Sequence, residues 1–332
     1  MQIMTRFAGA IILMVLLHVS SHAAEPLFAV ALVHTPVLNT PDFHSVFGGK
    51  DGNTLQKDQC GQLRSIEFVA LPGAVFKIEA ELNSRNRTIF RVKTSDYPYP
   101  SKHGYFVDAG FVKLQESKPP ERAATLPARG KIIAALKERV GNRYVWGGNR
   151  YAGIAELLAW YPPADRSLLS KADRNLWTLA GSDCSGLLYE ATDGYTPRNT
   201  SALLHFGTGV RVAGKSLQEI TAALKPLDLL VWPGHVLIVI DGGNVIESRL
   251  VCNEPDKGVR IRPIAAALSD ILKKRKPADV VINGTGEFVV RRWYEVTGSS
   301  IDLQPLFSGQ GSDGSMQPAF SPQQFSYPAA RE

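Results

Sequence analysis

At 332 residues the chain is long enough for two domains of ordinary size, each able to bury its own core. A hydrophobic share of 44% and a mean hydropathy of −0.07 exclude a disordered chain and a polytopic membrane protein. The net charge of +6 is spread along the chain except at Lys273-Lys274-Arg275-Lys276, which reads as a solvated helix end, and nothing resembles a nucleic-acid-binding module.

In chain order, Arg6 precedes an apolar run from Phe7 to Val19, and Ser-Ser-His-Ala-Ala follows. That is a basic flank, a short apolar stretch and small residues suited to cleavage after Ala23, so residues 1–23 read as a signal peptide. Such a run rises only about 20 Å as a helix, short of a bilayer core of about 30 Å. No later segment is apolar enough to span, so the mature chain is expected to be secreted, periplasmic or wall-associated, with no stable membrane span. In an oxidising compartment Cys60 and Cys252 can pair and leave Cys184 free, or both can be buried thiols; the sequence leaves this open.

Residues 25–116 read as short strands between turn residues, at Leu27–Val33, Ile66–Ala70, Val75–Leu82, Ile89–Lys93 and Phe111–Leu114, a pattern suited to a small β-barrel or sandwich. Residues 117–128, opening Ser-Lys-Pro-Pro, read as a linker. A second domain, 129–297, opens with a helix at Arg129–Val140, where Ile132, Ile133, Leu136 and Val140 keep the 3.6-residue period and Gly141 ends the helix. A helix is predicted from Ser185 through Ala191, then strands at Leu229–Trp232, Val236–Ile240 and Val245–Ser248, the last two joined by the turn Asp241–Asn244. Segments at Val280–Ile282 and Phe288–Trp293 are expected to extend that sheet, and residues 298–332, rich in Gly, Ser, Gln and Pro, read as a disordered tail.

Three stretches carry chemistry: Tyr144-Val-Trp-Gly-Gly-Asn149, Ser182-Asp-Cys-Ser-Gly-Leu-Leu188, and Leu227-Asp-Leu-Leu-Val-Trp-Pro-Gly-His-Val236. A thiol attacks only as thiolate, and the first turn of a helix lowers its pKa by presenting unpaired N–H groups and the positive end of the dipole. Cys184 sits at such a start, and Gly186 lets other backbone approach closely. His235, after a Pro-Gly turn, is the base that would complete a Cys–His pair. Neither residue alone distinguishes catalysis from a structural role. The seven histidines show no spacing for a metal site, and no cofactor is expected.

Together, Tyr-x-Trp-Gly-Gly, Asp-Cys-Ser-Gly, and Asp-Leu-Leu followed by His-Val resemble the NlpC/P60 cysteine peptidases over residues 129–250, with Gly194-Tyr-Thr-Pro-Arg198 matching the intervening segment. The resemblance implies an α+β fold in which a papain-like catalytic domain packs its nucleophile helix on an antiparallel sheet. It implies hydrolysis of peptidoglycan stem peptides at the bond between D-γ-glutamate and a diamino acid, with muropeptides as partners. By motif, Cys184 attacks and His235 moves the proton; Asp183 and Ser185 match positions that hold the substrate's amino end, and Tyr144 one that helps stabilise the oxyanion. Bland roles stay open: a cap for Asp183, a first-turn residue for Ser185, a packed aromatic for Tyr144.

Two departures from the pattern stand out. The third polar residue is Glu247, twelve positions past His235, where His, Asn or Gln is usual; a carboxylate there would hold the imidazole and stabilise its charged form. Residues 150–182 are also longer than is common and carry Trp160, Tyr161 and Trp177, which would form a lid or a small satellite core. The N-terminal region, through Gly104-Tyr-Phe-Val-Asp-Ala-Gly-Phe-Val-Lys113, resembles a bacterial SH3-like barrel. The competing expectations are a Cys–His amidase or acyltransferase on a non-wall substrate, and an inactive wall-binding scaffold. Diamino-acid preference and oligomeric state are left open.

Overall fold

The computed structural model describes residues 27–252, 258–281 and 286–294; the expected signal peptide, residues 1–23, and the expected tail, 298–332, lie outside the described residues. The first sheet contains β1 (Phe28–Ala31), β2 (Thr35–Leu38), β3 (Ile66–Ala70), β4 (Val75–Ser84), β5 (Arg87–Lys93), β6 (Tyr105–Asp108) and β7 (Val112–Gln115). Its order is β3-β2-β6-β5-β4-β1-β7 with every pairing antiparallel. The path is open: no pairing among the described residues joins β3 to β7. Strands β4 and β5 are joined by Arg85 and Asn86, both at positive φ (48° and 66°), the two-residue turn whose twist matches that of the strands it connects. A four-residue helix, α1 (Phe43–Val46), lies between β2 and β3.

Two of these strands were not expected. Strand β2 contains Pro36, which normally demotes a run from strand status, and in β6 all four residues are buried, so no alternation marks it.

The second sheet has the order β10-β16-β11-β12-β13-β14, built from β10 (Thr208–Val210), β11 (Leu229–Trp232), β12 (His235–Val239), β13 (Asn244–Arg249), β14 (Gly258–Pro263) and β16 (Glu287–Arg292), with β15 (Lys276–Pro277) added parallel to β16. Both faces are covered. Against one lie α2 (Arg129–Glu138) and α5 (Cys184–Ala191), burying Ile132, Leu136, Leu187 and Leu188 on Val231, Val236, Ile238 and Ile246. Against the other lie α7 (Leu217–Ala223) and α8 (Ile264–Leu272), burying Ile220, Ile264 and Leu268 on Leu230, Leu237 and Val245. The alternation of strand side chains sends successive residues to opposite layers, so an unbroken apolar run such as Leu-Leu-Val is what a two-sided strand requires.

Helices α2 and α5, strand β11 and the β12–β13 hairpin lie within two residues of their expected bounds, and Gly141 follows α2 at φ 84°. The expected strand at Val280–Ile282 is displaced: β15 pairs at Lys276–Pro277 instead, Val280 and Val281 are not in a strand, and Ile282 lies outside the described residues. The Lys273–Lys276 run begins at the C-terminal cap of α8.

The long segment after Asn149 forms β8 (Asn149–Arg150), α3 (Glu156–Trp160), α4 (Lys171–Trp177) and β9 (Gly181–Ser182), with α6 (Thr200–Leu203) further on. Tyr161 and Trp177 make a core and no lid, whereas Trp160 stays 40% exposed, with the Arg87 guanidinium 4.4 Å from its ring centroid. Tyr161 and Trp177 are 2% and 1% exposed and pack with Phe43, Phe47 and Phe111 of the first sheet's core, which Val145, Ile154, Leu157 and Leu179 also join. The Trp177 indole N–H donates to the Tyr161 carbonyl (2.7 Å), and the Tyr161 hydroxyl donates to the Asp108 carboxylate beside Arg87. Cys60 and Cys252 are joined by a disulfide with a Cα–Cα distance of 4.9 Å, leaving Cys184 as the free thiol. All described residues fall in one unit that ends at Tyr294, and no helix among them is long and apolar enough to cross a membrane.

Candidate active site

Helix α5 places the thiol. Asp183 is extended at the N-cap and accepts the Gly186 N–H at 2.7 Å, which fixes where the helix begins and puts Cys184 in its first turn. The helix can approach the Tyr144–Asn149 segment only because residue 186 is glycine: a Cβ there would collide with the Gly148 carbonyl. The Asp183 N–H donates to that same carbonyl at 2.9 Å.

Asp183 does more than cap. Arg198, 3% exposed, donates to both Asp183 carboxylate oxygens (3.0 and 2.7 Å), to the Ser185 hydroxyl (3.1 Å), to the Asn149 side-chain oxygen (2.9 Å) and to the Gly148 carbonyl (3.2 Å). Asn149 in turn bridges to the Val69 backbone of β3 through both ends of its amide. One buried guanidinium therefore locks the Asp183–Ser185 turn to the Gly-Gly-Asn segment and, through Asn149, to the first sheet. Sequence reading quoted Arg198 and Asn149 within motifs but assigned neither a role; their partners lie 15 and 80 positions away, where no local spacing signals them.

The β11–β12 hairpin brings His235. Trp232 and His235 are opposite partners in its register, and the turn between them, Pro233-Gly234, lies against Cys184, whose thiol makes a long contact with the Gly234 carbonyl (3.8 Å). The His235 Nε2 is 2.8 Å from a carboxylate oxygen of Glu247 on the neighbouring strand β13. Glu247 is 2% exposed, and its other oxygen accepts from Arg260 (3.1 Å) and Arg262 (3.4 Å). Burial alone would raise this carboxyl, but the hydrogen bond and charge of His235, with Arg260 behind them, outweigh it and hold the group at about 2. Glu247 is thus an ionised acceptor that fixes the imidazole with Nε2–H toward itself. The adjacent Ser248 hydroxyl donates to the Ser182 carbonyl (2.6 Å), tying β13 to the residue before Asp183.

The thiol departs from the helix-start expectation. Burial pushes Cys184 up to about 12, and the Asp183 carboxylate adds to the rise, against the opposing effects of Arg198 and the backbone N–H groups of Ser185 and Val236. Desolvation in a sealed site exceeds what one helix end returns. Cys184 rests as a neutral thiol. Tyr144, also buried, lies close enough for its hydroxyl to respond to Cys184 and Asp183, and burial first, then those two neighbours, keeps the phenol neutral and able to donate. The aspartate of Asp-Leu-Leu, Asp228, is structural: it is buried and pairs with Arg292 at 2.6 Å. No group of three metal-ligating side chains occurs among the described residues.

The structure sets Asp183, Cys184 and Ser185 at the start of α5 with Tyr144 nearby, and pairs His235 with Glu247 at the hairpin whose turn meets the Cys184 thiol. Chemically, this joins a neutral thiol, an imidazole of fixed tautomer, a buried carboxylate and a phenol donor.

No family model matches the chain, and no curated protein matches it. Among solved structures it is similar to a crystal structure of an NlpC/P60 family protein from Bacillus cereus, at 17% identity and a TM-score of 0.29, over 81% of this chain and 64% of that one. It is likewise similar to NlpC2 from Trichomonas vaginalis, at 13% identity and a TM-score of 0.27, over 81% of this chain and 72% of that one. Likenesses this distant carry no argument about chemistry, which rests on the arrangement of Cys184, His235 and Glu247.

Proposed function

We propose that this chain is an exported cysteine endopeptidase that hydrolyses peptidoglycan stem peptides at the D-γ-glutamyl–diamino acid bond. The observation that carries the reading is the His235–Glu247 hydrogen bond at a hairpin whose turn abuts the Cys184 thiol. The ordered motifs of the NlpC/P60 family supply the substrate class.

In this reading the neutral thiol loses its proton to His235 as it attacks the γ-carbonyl carbon, so thiolate forms only on the path to reaction. The tetrahedral intermediate places an oxyanion near the Tyr144 hydroxyl, which donates to it. His235 returns its proton to the leaving amine, and a thioester remains on Cys184. Water, deprotonated by His235, then attacks that thioester and releases the γ-carboxylate and the thiol. Glu247 offsets the imidazolium charge in both halves. Asp183 and Ser185 take the substrate's amino end; the Asp183 oxygen that accepts from Arg198 alone, unlike the one that also accepts from Gly186 and Ser185, keeps a lone pair for an ammonium group. Residues just before β3, in the region read as an SH3-like module, reach the Tyr144–Asn149 segment: Gln62 accepts the Trp146 N–H (3.0 Å) and the Arg64 guanidinium stacks 4.1 Å from the Trp146 ring centroid.

The test is digestion of purified muropeptides by the mature chain beside a Cys184→Ala variant, with products read by mass spectrometry. Cleavage after D-γ-glutamate by the unaltered chain alone supports the reading. If neither protein yields product, the amidase or scaffold reading replaces it, and turnover of small amide and ester substrates decides between those two: lost in Cys184→Ala for an enzyme, absent from both proteins for a scaffold.

A further inference from the structure

The two oxygens of Glu247 face different partners. Strand β14 sets Arg260 opposite Glu247 in the antiparallel register, with Arg262 two residues on and on the same face. Both guanidiniums go to one oxygen: the Arg260 Nε and a terminal nitrogen each lie 3.1 Å from Oε1, and an Arg262 nitrogen lies 3.4 Å from it. Oε2 is left to His235 at 2.8 Å. The two arginines are not equivalent. Arg262 also pairs with Asp270 of α8 at 2.5 Å, and Asp270 takes Lys273 at 3.1 Å. Arg260 pairs with Glu247 alone among the described residues.

Charge explains why a carboxylate in this place needs such a neighbour. An amide at residue 247 would align the imidazole without adding charge; a carboxylate also favours the protonated ring. Beside a resting thiolate that is an advantage, because an imidazolium partners the sulfur. Cys184 instead rests as a neutral thiol, and a ring already carrying its second proton cannot take another from it. A guanidinium on Oε1 resolves the conflict. It matches the carboxylate charge close by and leaves Oε2 free to align the ring.

We infer that Arg260 is a positioning residue: by taking Oε1 of Glu247 it offsets the carboxylate charge and leaves His235 free to act as a base. The inference rests on the proposed endopeptidase reading, in which His235 takes the Cys184 proton. Two further groups stand around the pair. The Cys184 thiol meets the Gly234 carbonyl beside His235, and Arg275 stacks on the Trp232 ring, which lies 5.2 Å from that of His235. The Arg260 side chain is 30% exposed on a strand at the sheet edge, so Arg260→Gln removes a charge without opening a core.

The experiment follows the His235 ring without turnover. In the full mature chain carrying Cys184→Ala, ring-proton resonances are recorded across pH by NMR, with His235 assigned as the signal lost in His235→Asn. Arg260→Gln is expected to move the His235 midpoint up by about 0.5–1 pH unit, and Arg260→Lys, which keeps the charge, to leave it within about 0.2. Asp270→Asn, an exposed change that leaves the Arg262 charge unmatched, is expected to move it down by a smaller amount. If Arg260 only braced Glu247, its loss would loosen the carboxylate and lower the midpoint. A lowered or unmoved midpoint in Arg260→Gln, or a raised one in Asp270→Asn, overturns the assignment. With Cys184 intact, the acid limb of kcat/KM on muropeptides is expected to rise with Arg260→Gln by the same amount. A raised midpoint without any cleavage by the unaltered chain keeps the Arg260 assignment and removes the endopeptidase reading. Cleavage with an unmoved midpoint does the reverse.

Discussion

Glu247 and Arg198 are both buried and both paired, yet removing each has a different consequence. Glu247→Gln keeps the size but not the charge, so the imidazole loses its tautomer lock and the stabilisation of its protonated form. In the proposed peptidase this lowers kcat by roughly 10²-fold to 10⁴-fold with little change in KM, measured on the same muropeptide. The same carboxyl sets an acid limit on stability. Its folded pKa, about 2, lies below the ordinary 4.5, so its contribution is complete above the ordinary value and is lost as pH falls from there toward about 2. Acid titration followed by circular dichroism should show Glu247→Gln flattening that part of the curve. Arg198 is structural in a stronger sense: Arg198→Met leaves the Asp183 carboxylate buried without its cation, a loss of about 3–5 kcal/mol in urea unfolding. Pairing it with Asp183→Asn removes the orphaned charge and recovers part of that loss, and a double variant no more stable than the single one would contradict this account.

Elements that the sequence shows are those whose determinants are local. Helix α5 announces itself through an Asp cap and an apolar run, α2 through its period and Gly141, and β12–β13 through a turn between two apolar segments. The same locality made the His235–Glu247 pairing readable, since the hairpin spacing, together with the position the resemblance implies, sets Glu247 beside His235. What stayed hidden depends on distant partners. Strand β2 is a strand despite Pro36 because β3 and β6 flank it, and the ligands of Arg198 come from four separate positions. The Cys184 pKa also reverses sign, because burial is a property of the whole site and the helix end is not. The segment 150–182 shows the point most sharply, as its Trp177 reads equally as lid or core until the first sheet is in place. Trp177→Ala should cost about 3–5 kcal/mol in denaturant unfolding, since it removes a fully buried indole and its bond to the Tyr161 carbonyl. A lid residue would leave stability unchanged and alter only KM.

Across the whole molecule the two sheets keep separate layers but share what lies between them. The core of the first sheet includes Val145, Leu157, Tyr161 and Trp177, which follow the expected linker in sequence, so part of the second region is built on the first. The disulfide reinforces this by joining Cys60, two residues before Gln62, to Cys252, five residues after Glu247. It closes a separation of 192 positions, for which the chain-entropy relation gives an upper bound of about 5 kcal/mol. Reduction should therefore lower Tm by calorimetry, and Cys60→Ser should reproduce the lowered value and no longer respond to reductant. Separating the two regions tests the shared core directly. A chain beginning at residue 117 keeps every group of the proposed triad but leaves Tyr161, Trp177 and Leu157 without the first sheet, and Asn149 without the Val69 backbone it bonds. Exposed apolar surface of that size and orphaned buried polar groups oppose cooperative folding. The expected result is a fragment that binds a hydrophobic dye and melts without a sharp transition; a sharp transition near the Tm of the longer chain would mean that the second sheet carries its own stability and that residues 150–182 can repack without their partner.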